Sequence, residues 1–391
     1  DIKGDLFAQK PNVGAVMTEK RTLQHQADNK VWRLYVDVSC TDAEHDGSSW
    51  AKAYRSINEA IEYFANVQAT DGVERFEILV REGDCYPRYS FTNLDPKTAT
   101  INVLKTERPL VIKGGYRVED DGSAARKPLE YRSVIDGNPK GKALEDGLYH
   151  CITVAEDANV EIDGFHVVGG YAVSSTYKSG AGMLVGKRAA VTVRNTVFEN
   201  NTAVEAAAIS AQDGSNLTLV NCVVNNNTNT TESASVIAAN NLTMHYVTVV
   251  NNKGAAPGGN YSTSFSAGNT FGSNNMQNLN TLSADGAKNF ANPTNAPGAT
   301  LGYDTYLGGY SEFRPLTSST DAAVLINKAN AVEGVTEDIS GKGRNLGGKP
   351  DLGAYEADLP ESGRVIYVRE NGTGDGLSWD CLLYTSDAAD D

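Results

Sequence analysis

The sequence predicts an all-β solenoid closed at its N-terminal end by a short helix, and three observations carry that prediction. One pattern recurs between Val160 and Asn252 with a period of about 25 to 31 residues, the mark of stacked structural repeats. Val160 to Gly170 (VEIDGFHVVGG), Val191 to Asn201 (VTVRNTVFENN), Leu217 to Asn227 (LTLVNCVVNNN) and Leu242 to Asn252 (LTMHYVTVVNN) align without gaps. Each unit holds two runs in which apolar and polar residues alternate, the period of a strand with one buried face. Each also ends in Gly-Gly or Asn-Asn, residues that accept the left-handed turns a coil needs at its corners. One such unit cannot bury its apolar side alone, so neighbours must stack.

Taken in order, the chain begins with a segment that makes sense beside its end. Asp1-Ile-Lys-Gly4 and Lys10-Pro-Asn-Val-Gly-Ala15 resemble Asp338-Ile-Ser-Gly341 and Lys349-Pro-Asp-Leu-Gly-Ala354. Leu34-Tyr-Val-Asp37 followed by Asp46-Gly-Ser-Ser-Trp50 resembles Ile366-Tyr-Val-Arg369 followed by Asp375-Gly-Leu-Ser-Trp379, at nearly the same offset. A large internal repeat is therefore expected: residues 1–15 the tail of a preceding module, 16–30 a polar linker, 31–358 a complete module, and 359–380 a linker with the opening strand of another. Residues 381–391, CLLYTSDAADD, resemble the translation of a transposase sequencing adapter and are expected to be non-native. With no initiator Met or signal peptide at Asp1, the start reads as an interior cut.

Composition narrows the partners. The net charge is −15, of which the last eleven residues account for only three, and like charge disfavours nucleic acid and anionic membranes. No apolar run approaches the ~20 residues of a membrane-spanning helix. The cysteines form no CxxC pair, so no zinc site is implied. Cys222 aligns with Phe165, Thr196 and Val247 and is expected buried; the state of Cys40, Cys85 and Cys151 is left open.

Within the module, a strand over Trp32 to Val38 precedes Ser56-Ile-Asn-Glu59, which fits a capping box: hydroxyl and carboxylate would each satisfy a free N–H of the first turn. Ile57, Ala60, Ile61 and Phe64 share a face, so this helix, with Trp50 and Tyr54, is expected to cover the open end of the core. Asp42 to Gly47 resembles a calcium loop superficially, but the bidentate position holds Ala53, so a structural turn is expected and calcium is not implied. Strands follow at Phe76 to Val80, Leu110 to Lys113, Ser133 to Asp136 and Cys151 to Val154, with weaker ones near Asn269 to Phe271 and Phe313 to Leu316. The aligned Asn200, Asn226, Asn251 and Asn201, Asn227, Asn252 are expected to form structural ladders, and the sequons at Asn200, Asn226 and Asn241 to be turn chemistry.

Together the motifs YV, DGSSWAKAY, SINEAI, REGDCY, VIKGGY, VEIDGFHVVGG, ENNTA and DLGAYE resemble the right-handed parallel β-helix, pectin-lyase-like proteins of Bacteroidota cell surfaces. The resemblance covers nearly the whole module. It implies that fold and a secreted or outer-membrane-surface, multi-module protein, with relatives among polysaccharide lyases and adhesins.

Strand alternation then assigns faces. One outward column reads Asp163, Arg194, Val220, His245, so Asp163 and Arg194 are expected to form an exposed ion pair. His166 is the odd member of the outward column Val197, Val223, Thr248; a solvated histidine is the ordinary reading and a catalytic one the alternative. From Gly164 to Phe198 there are Lys178, Lys187, Arg188 and Arg194 and no acid, together with Tyr171 and Tyr177. Such a rim suits an anionic glycan, so Tyr171, Tyr177, Lys178, Arg188, Arg194 and Asp163 are the carbohydrate-binding candidates. If the module is a lyase, Lys178, Arg188 or Arg194 would neutralise a uronate carboxylate while His166 or Tyr177 acts on the proton beside it. The preferred reading is glycan binding or adhesion, with a polysaccharide lyase or a ligand-free spacer as alternatives. No cofactor or metal is implied, and oligomeric state is left open.

Overall fold

The computed structural model describes residues 30–252 apart from 70–71, 88–94, 120–121, 139–141, 232–234 and 251, and residues 326–357 apart from 345–347. Between these lie the backbones of Asn269–Ser273, Met276–Gln277, Phe290–Ala291, Tyr303–Thr305 and Ser311–Pro315. The expected module tail 1–15, the linker up to 29, the expected further module and the tail 381–391 lie outside the described residues.

Alternating apolar residues become strands that stack in register from coil to coil. Sheet A runs through Val31–Val36, Arg75–Arg81, Leu110–Val118, Asn159–Asp163, Ala190–Arg194, Asn216–Val220, Asn241–His245 and Asn269–Ser273, each parallel to the next. Val160, Val191, Leu217 and Leu242 are direct neighbours, as the repeat alignment requires. Sheet B follows one turn later in each coil and includes Ser133–Asp136, Phe165–Val168, Val197–Glu199, Val223–Asn225 and Thr248–Val250. Sheet C contains Ile101–Val103, Ile152–Val154, Met183–Val185, Ile209–Ala211 and Ile237–Ala238, and a two-residue corner ladder joins Tyr171–Ala172, Thr202–Ala203 and Thr228–Asn229. The result is an all-β, right-handed parallel β-helix, the hand that twisted L-residue strands impose on parallel crossovers.

Two turns per coil need left-handed backbone. Between sheets A and B it falls on Gly164, Asn195, Asn221 and Tyr246, and after sheet B on Gly169, Asn200 and Asn226. Gly164 is also crowded, because a Cβ there would lie 2.9 Å from Pro128 Cγ and 3.0 Å from Gly114 O. Inside the second turn, buried Asn201 and Asn227 are rungs of one ladder. The Asn201 amide donates to Asn227 Oδ1 at 3.0 Å, and the Asn227 amide to Asn252 Oδ1 at 3.0 Å. Asn226 donates to Asn200 in the exposed rung outside it.

The helix Ile57–Asn66 closes the N-terminal end with Ile57, Ala60, Ile61 and Phe64 in the core. Phe64 stacks on Phe76 at 4.3 Å, and Trp32 meets Tyr63, Phe64 and Phe76 edge-on. Buried Asn58 completes the seal: its amide donates to Thr100 O at 2.9 Å and its oxygen accepts from Asn102 N–H at 3.0 Å, on the open edge of the first strand of sheet C, Ile101–Val103. The cap differs from a capping box. Ser56 accepts from Asn58 N–H, and the Glu59 carboxylate reaches past the cap to Arg55 N–H. Tyr54 is buried with the lid, but Trp50 is half-exposed, its ring 4.9 Å from that of Tyr35 on the outward side of sheet A. Asp42 and Asp46 each fold their loop with a local bond, to the N–H of Glu44 and Ser48.

The outward side of sheet B is covered. Residues 326–344 and 348–357 form a strap whose Ala329, Ile339, Leu352, Ala354 and Tyr355 pack with Val197, Val223 and Tyr246. Its centre is Arg344, which bonds to Glu356 at 2.9 Å and Asn221 at 2.7 Å and lies 3.8 Å over the Tyr246 ring. Ala354 N–H donates to Thr248 Oγ1 at 2.9 Å, so the strap is stitched to the coil as well as packed on it.

Candidate functional site

Among the described residues, the outward face of sheet A presents a dense set of charged and aromatic side chains. Strand register places Arg33, Glu77, Val111, Glu161, Thr192, Thr218 and Thr243 in one column. The next column holds Tyr35, Leu79, Lys113, Asp163, Arg194, Val220 and His245. Buried Glu77 gathers three cations: Arg33 at 2.8 Å, Arg75 at 2.8 Å and Lys113 at 3.1 Å. Burial alone would raise its carboxyl, but the hydrogen bonds from Arg33 and Lys113 and the charges of Lys113 and Arg75 outweigh it and hold the group below its ordinary value.

Asp163 is 6 % exposed, and its partner is Arg126, 2.8 Å away, with Asn195 donating to the same oxygen. Arg194 is beside Asp163 in register, as the alignment predicts, yet it pairs with Glu161 at 3.1 Å. The expected Asp163–Arg194 pair is thus replaced by two others. Arg126 comes from Ala124–Arg126, a short strand folded antiparallel onto Leu110–Val118, which no repeat alignment could place there.

At the N-terminal end of the same face stand three rings from different parts of the chain. Trp50 lies 4.9 Å from Tyr35 and 5.6 Å from Tyr116, and the Arg126 guanidinium sits 5.8 Å over Tyr116. All three rings are half-exposed. The loop carrying Trp50 is laced to the edge strand by Tyr35 N–H to Gly47 O at 3.0 Å and Tyr54 N–H to Tyr35 O at 2.8 Å. Sequence reading missed this row because its members lie outside the regular coils of Val160 to Asn252; the signal available was the pair Tyr35 and Trp50, which recurs as Tyr367 and Trp379.

The other sequence candidates are spread around the coil. Arg188 occupies the turn from sheet C to sheet A and pairs with Asp157 at 2.8 Å and Glu156 at 3.2 Å. The acid-free stretch is therefore not acid-free in space, since the preceding coil supplies carboxylates. Lys178 and Lys187 are exposed. Tyr171 and Tyr177 lie at the corner between the two-residue ladder and sheet C, where Tyr177 stacks on Tyr149 at 4.3 Å.

His166 is outward from the core but only 2 % exposed. Its column is apolar at Val197 and Val223, and those residues are covered by the strap. Burial, with the Arg132 charge second, pushes the imidazole down to about 3 from 6.5. The unfolded chain takes up this proton near pH 6.5 and the folded chain only near 3, so His166 favours folding fully above about pH 6.5 and that contribution is lost as pH falls. The urea midpoint of the protein is expected to drop between about pH 7 and pH 5 by clearly more than that of His166→Leu; equal drops would contradict the burial.

His245 is half-buried on the column of Arg194, and burial first, then the Arg194 charge, lowers its pKa. It is therefore a neutral base at pH 7. Cys85, Cys151 and Cys222 are buried thiols and Cys40 is partly exposed. Burial raises the three buried thiols, Cys85 and Cys222 to about 12, which keeps them protonated and unreactive. Among the described residues, no group of three or more His, Cys, Asp or Glu is placed to hold a metal ion, and no helix is long and apolar enough to cross a membrane.

No family model and no curated protein matches the chain. Among solved structures it is similar to pectate lyase Pel9A, at 16 % identity and a TM-score of 0.35 over 85 % of this chain and 98 % of that one. It is also similar to the pectin methylesterase PemA from Erwinia chrysanthemi, at 14 % identity and a TM-score of 0.30 over 59 % of this chain and 62 % of that one. Likeness at that level carries no argument about chemistry, and the parallel β-helix rests on the chain's own strand pairing.

Proposed function

We infer that the chain is a module of a secreted or cell-surface protein that binds an extended anionic glycan along the outward face of sheet A. The observation that carries this reading is the row Tyr35, Trp50, Tyr116 beside five cations, Arg33, Arg75, Lys113, Arg126 and Arg194, set around three carboxylates in a protein whose net charge is −15. Ring faces stack on the apolar faces of sugars, while the surplus of positive charge attracts carboxylate or sulfate groups. The pairs to Glu77, Asp163 and Glu161 hold the cations in place before a ligand arrives, which lowers the ordering cost of binding. Tandem modules would multiply a weak single-site affinity.

A lyase is the second reading, and His245 favours it: a neutral base shares a column with Arg194, the pairing that proton abstraction beside a uronate needs. His166, sealed beneath its cover, has no part in it. Incubation with polygalacturonate, alginate and heparan sulfate, following absorbance of the unsaturated product alongside retention on immobilised polymer, separates the readings. Retention without product is expected, and it should weaken about tenfold in Trp50→Ala, the loss of one stacked ring at about 1–2 kcal/mol. Product formation would establish the lyase, and absence of retention on every polymer would leave a spacer.

A further inference from the structure

A second aromatic cluster lies away from sheet A, at the corner where the loop after Tyr171–Ala172 crosses to sheet C. The Tyr149 and Tyr177 rings are stacked there at 4.3 Å and 21°, both half-exposed, and the Tyr149 hydroxyl bonds to Asp95. Against them sits His150, 7 % exposed and edge-on to Tyr177 at 5.6 Å. Its Nδ1 is 2.9 Å from Gly180 O, a carbonyl that can only accept, so Nδ1 carries the proton and Nε2 presents a lone pair. That Nε2 is buried and has no hydrogen-bond partner. Burial keeps the ring neutral, so the acceptor is present at pH 7. Leu144, the exposed large hydrophobic residue among those described, stands in the turn next to Tyr171.

Tyr177 is held differently from its neighbours. It closes a small turn on itself, with its N–H on Ser174 Oγ at 2.8 Å and Ser174 N–H on Tyr177 O at 3.1 Å. The turn rejoins the coil through Ser179 and through Glu205 N–H to Lys178 O at 3.0 Å. A flat ring on Tyr149, carried by a self-contained turn and packed on a histidine with an unused acceptor, occupies the place a sugar ring would take. We propose that Tyr177 is a displaceable placeholder over a second carbohydrate subsite, in which a neutral pyranose stacks on Tyr149 and donates a hydroxyl to His150 Nε2. The acceptor calls for a sugar hydroxyl, and the Asp95 carboxylate bonded to Tyr149 disfavours an ionised carboxylate or sulfate on the same ring, so the site suits a neutral unit. This subsite is independent of the sheet A face and of the charge argument made for it.

The test uses the full chain carrying Trp50→Ala, so that the sheet A face is impaired and failure of one reading leaves the other standing. The probes are cellohexaose, xylohexaose, mannohexaose and maltohexaose, with hexagalacturonate as the anionic comparison, read by titration calorimetry and by the ¹⁵N signal of His150 Nε2. Adding Tyr177→Ala should tighten binding of a neutral hexaose about tenfold and shift the Nε2 signal on binding; adding Tyr149→Ala to that protein should abolish both, and His150→Phe should weaken binding about tenfold. Tyr177→Ala lies in an exposed turn, and an unchanged circular dichroism spectrum would confirm that it folds. Weaker binding in Tyr177→Ala, an Nε2 signal that hexagalacturonate shifts more than the neutral hexaoses do, an unmoved Nε2 signal, or no binding to any neutral hexaose would each overturn the proposal.

Discussion

Arg344→Ala is expected to lower the unfolding free energy of the module by about 3–5 kcal/mol, the cost of removing one partner from a buried charged cluster. The guanidinium is almost wholly buried, and it bonds to Glu356 at 2.9 Å, Asn221 at 2.7 Å and Ala354 O at 3.0 Å. Three acids converge on this part of the strap. Asp338 accepts from the N–H groups of Ser340, Lys342 and Glu356, and Asp351 from those of Asn327 and Ala357. Glu356 relies on Arg344 and Asp351 N–H, while burial and the Asp351 charge push its carboxyl up to about 8. Without the cation, the strap loses the guanidinium's bond to Asn221 and its stacking on Tyr246, and keeps only the Asn221 amide on Glu337 O at 2.8 Å and the Tyr246 hydroxyl on Asn330 O at 2.6 Å at these two residues. Arg344→Lys should not restore it, since an ammonium cannot reproduce the planar fork across Glu356, Asn221 and Ala354. The check is the urea midpoint combined with proteolysis between residues 326 and 357. A midpoint unchanged from the parent would mean that packing of Ile339, Leu352 and Tyr355, with the bonds at Asn221, Tyr246 and Thr248, holds the strap without the cation.

Asn227→Ala is the second large effect, expected at about 2–4 kcal/mol because it strands buried backbone groups. Asn227 Oδ1 receives Asn201 N–H at 3.1 Å, and its amide serves Phe198 O at 2.9 Å and Asn225 O at 3.0 Å. None of these groups can turn to water in the closed coil. The adjacent Asn226 gives the contrast. Its side chain bonds to Asn200 at the surface, so Asn226→Ala should cost only about 1 kcal/mol, mainly for placing alanine in left-handed backbone. Urea unfolding of the two variants in parallel measures the difference; equal losses would mean that the buried ladder contributes no more than the exposed one.

What could be read from the sequence follows from which signals repeat. Val191, Leu217 and Leu242 announce sheet A because three coils carry the same period-two pattern, and their observed register is the aligned one. Met183–Val185, Ile209–Ala211 and Tyr171–Ala172 were hidden because two or three residues are too short to show a period. The strap over sheet B left a trace that was legible in principle. Val197 and Val223 alternate outward, and apolar residues on an outward column imply a cover. His166, on the same column, is buried with them. The site was the least legible part, since Tyr35, Trp50 and Tyr116 precede the regular coils and Arg126 arrives on a separate hairpin strand. Charge pairing across coils likewise escapes a linear reading: Arg188 meets acids of the coil before it.

The measurement that bears most directly on the central claim is a fluorescence titration of the full chain with polygalacturonate at low and at high salt. Trp50 lies in the aromatic row, so binding along sheet A should quench tryptophan emission, the quench should vanish in Trp50→Phe, and the affinity should fall as salt screens the cationic cluster. Quenching that survives in Trp50→Phe, or an affinity indifferent to salt, would contradict an anionic glycan on that face.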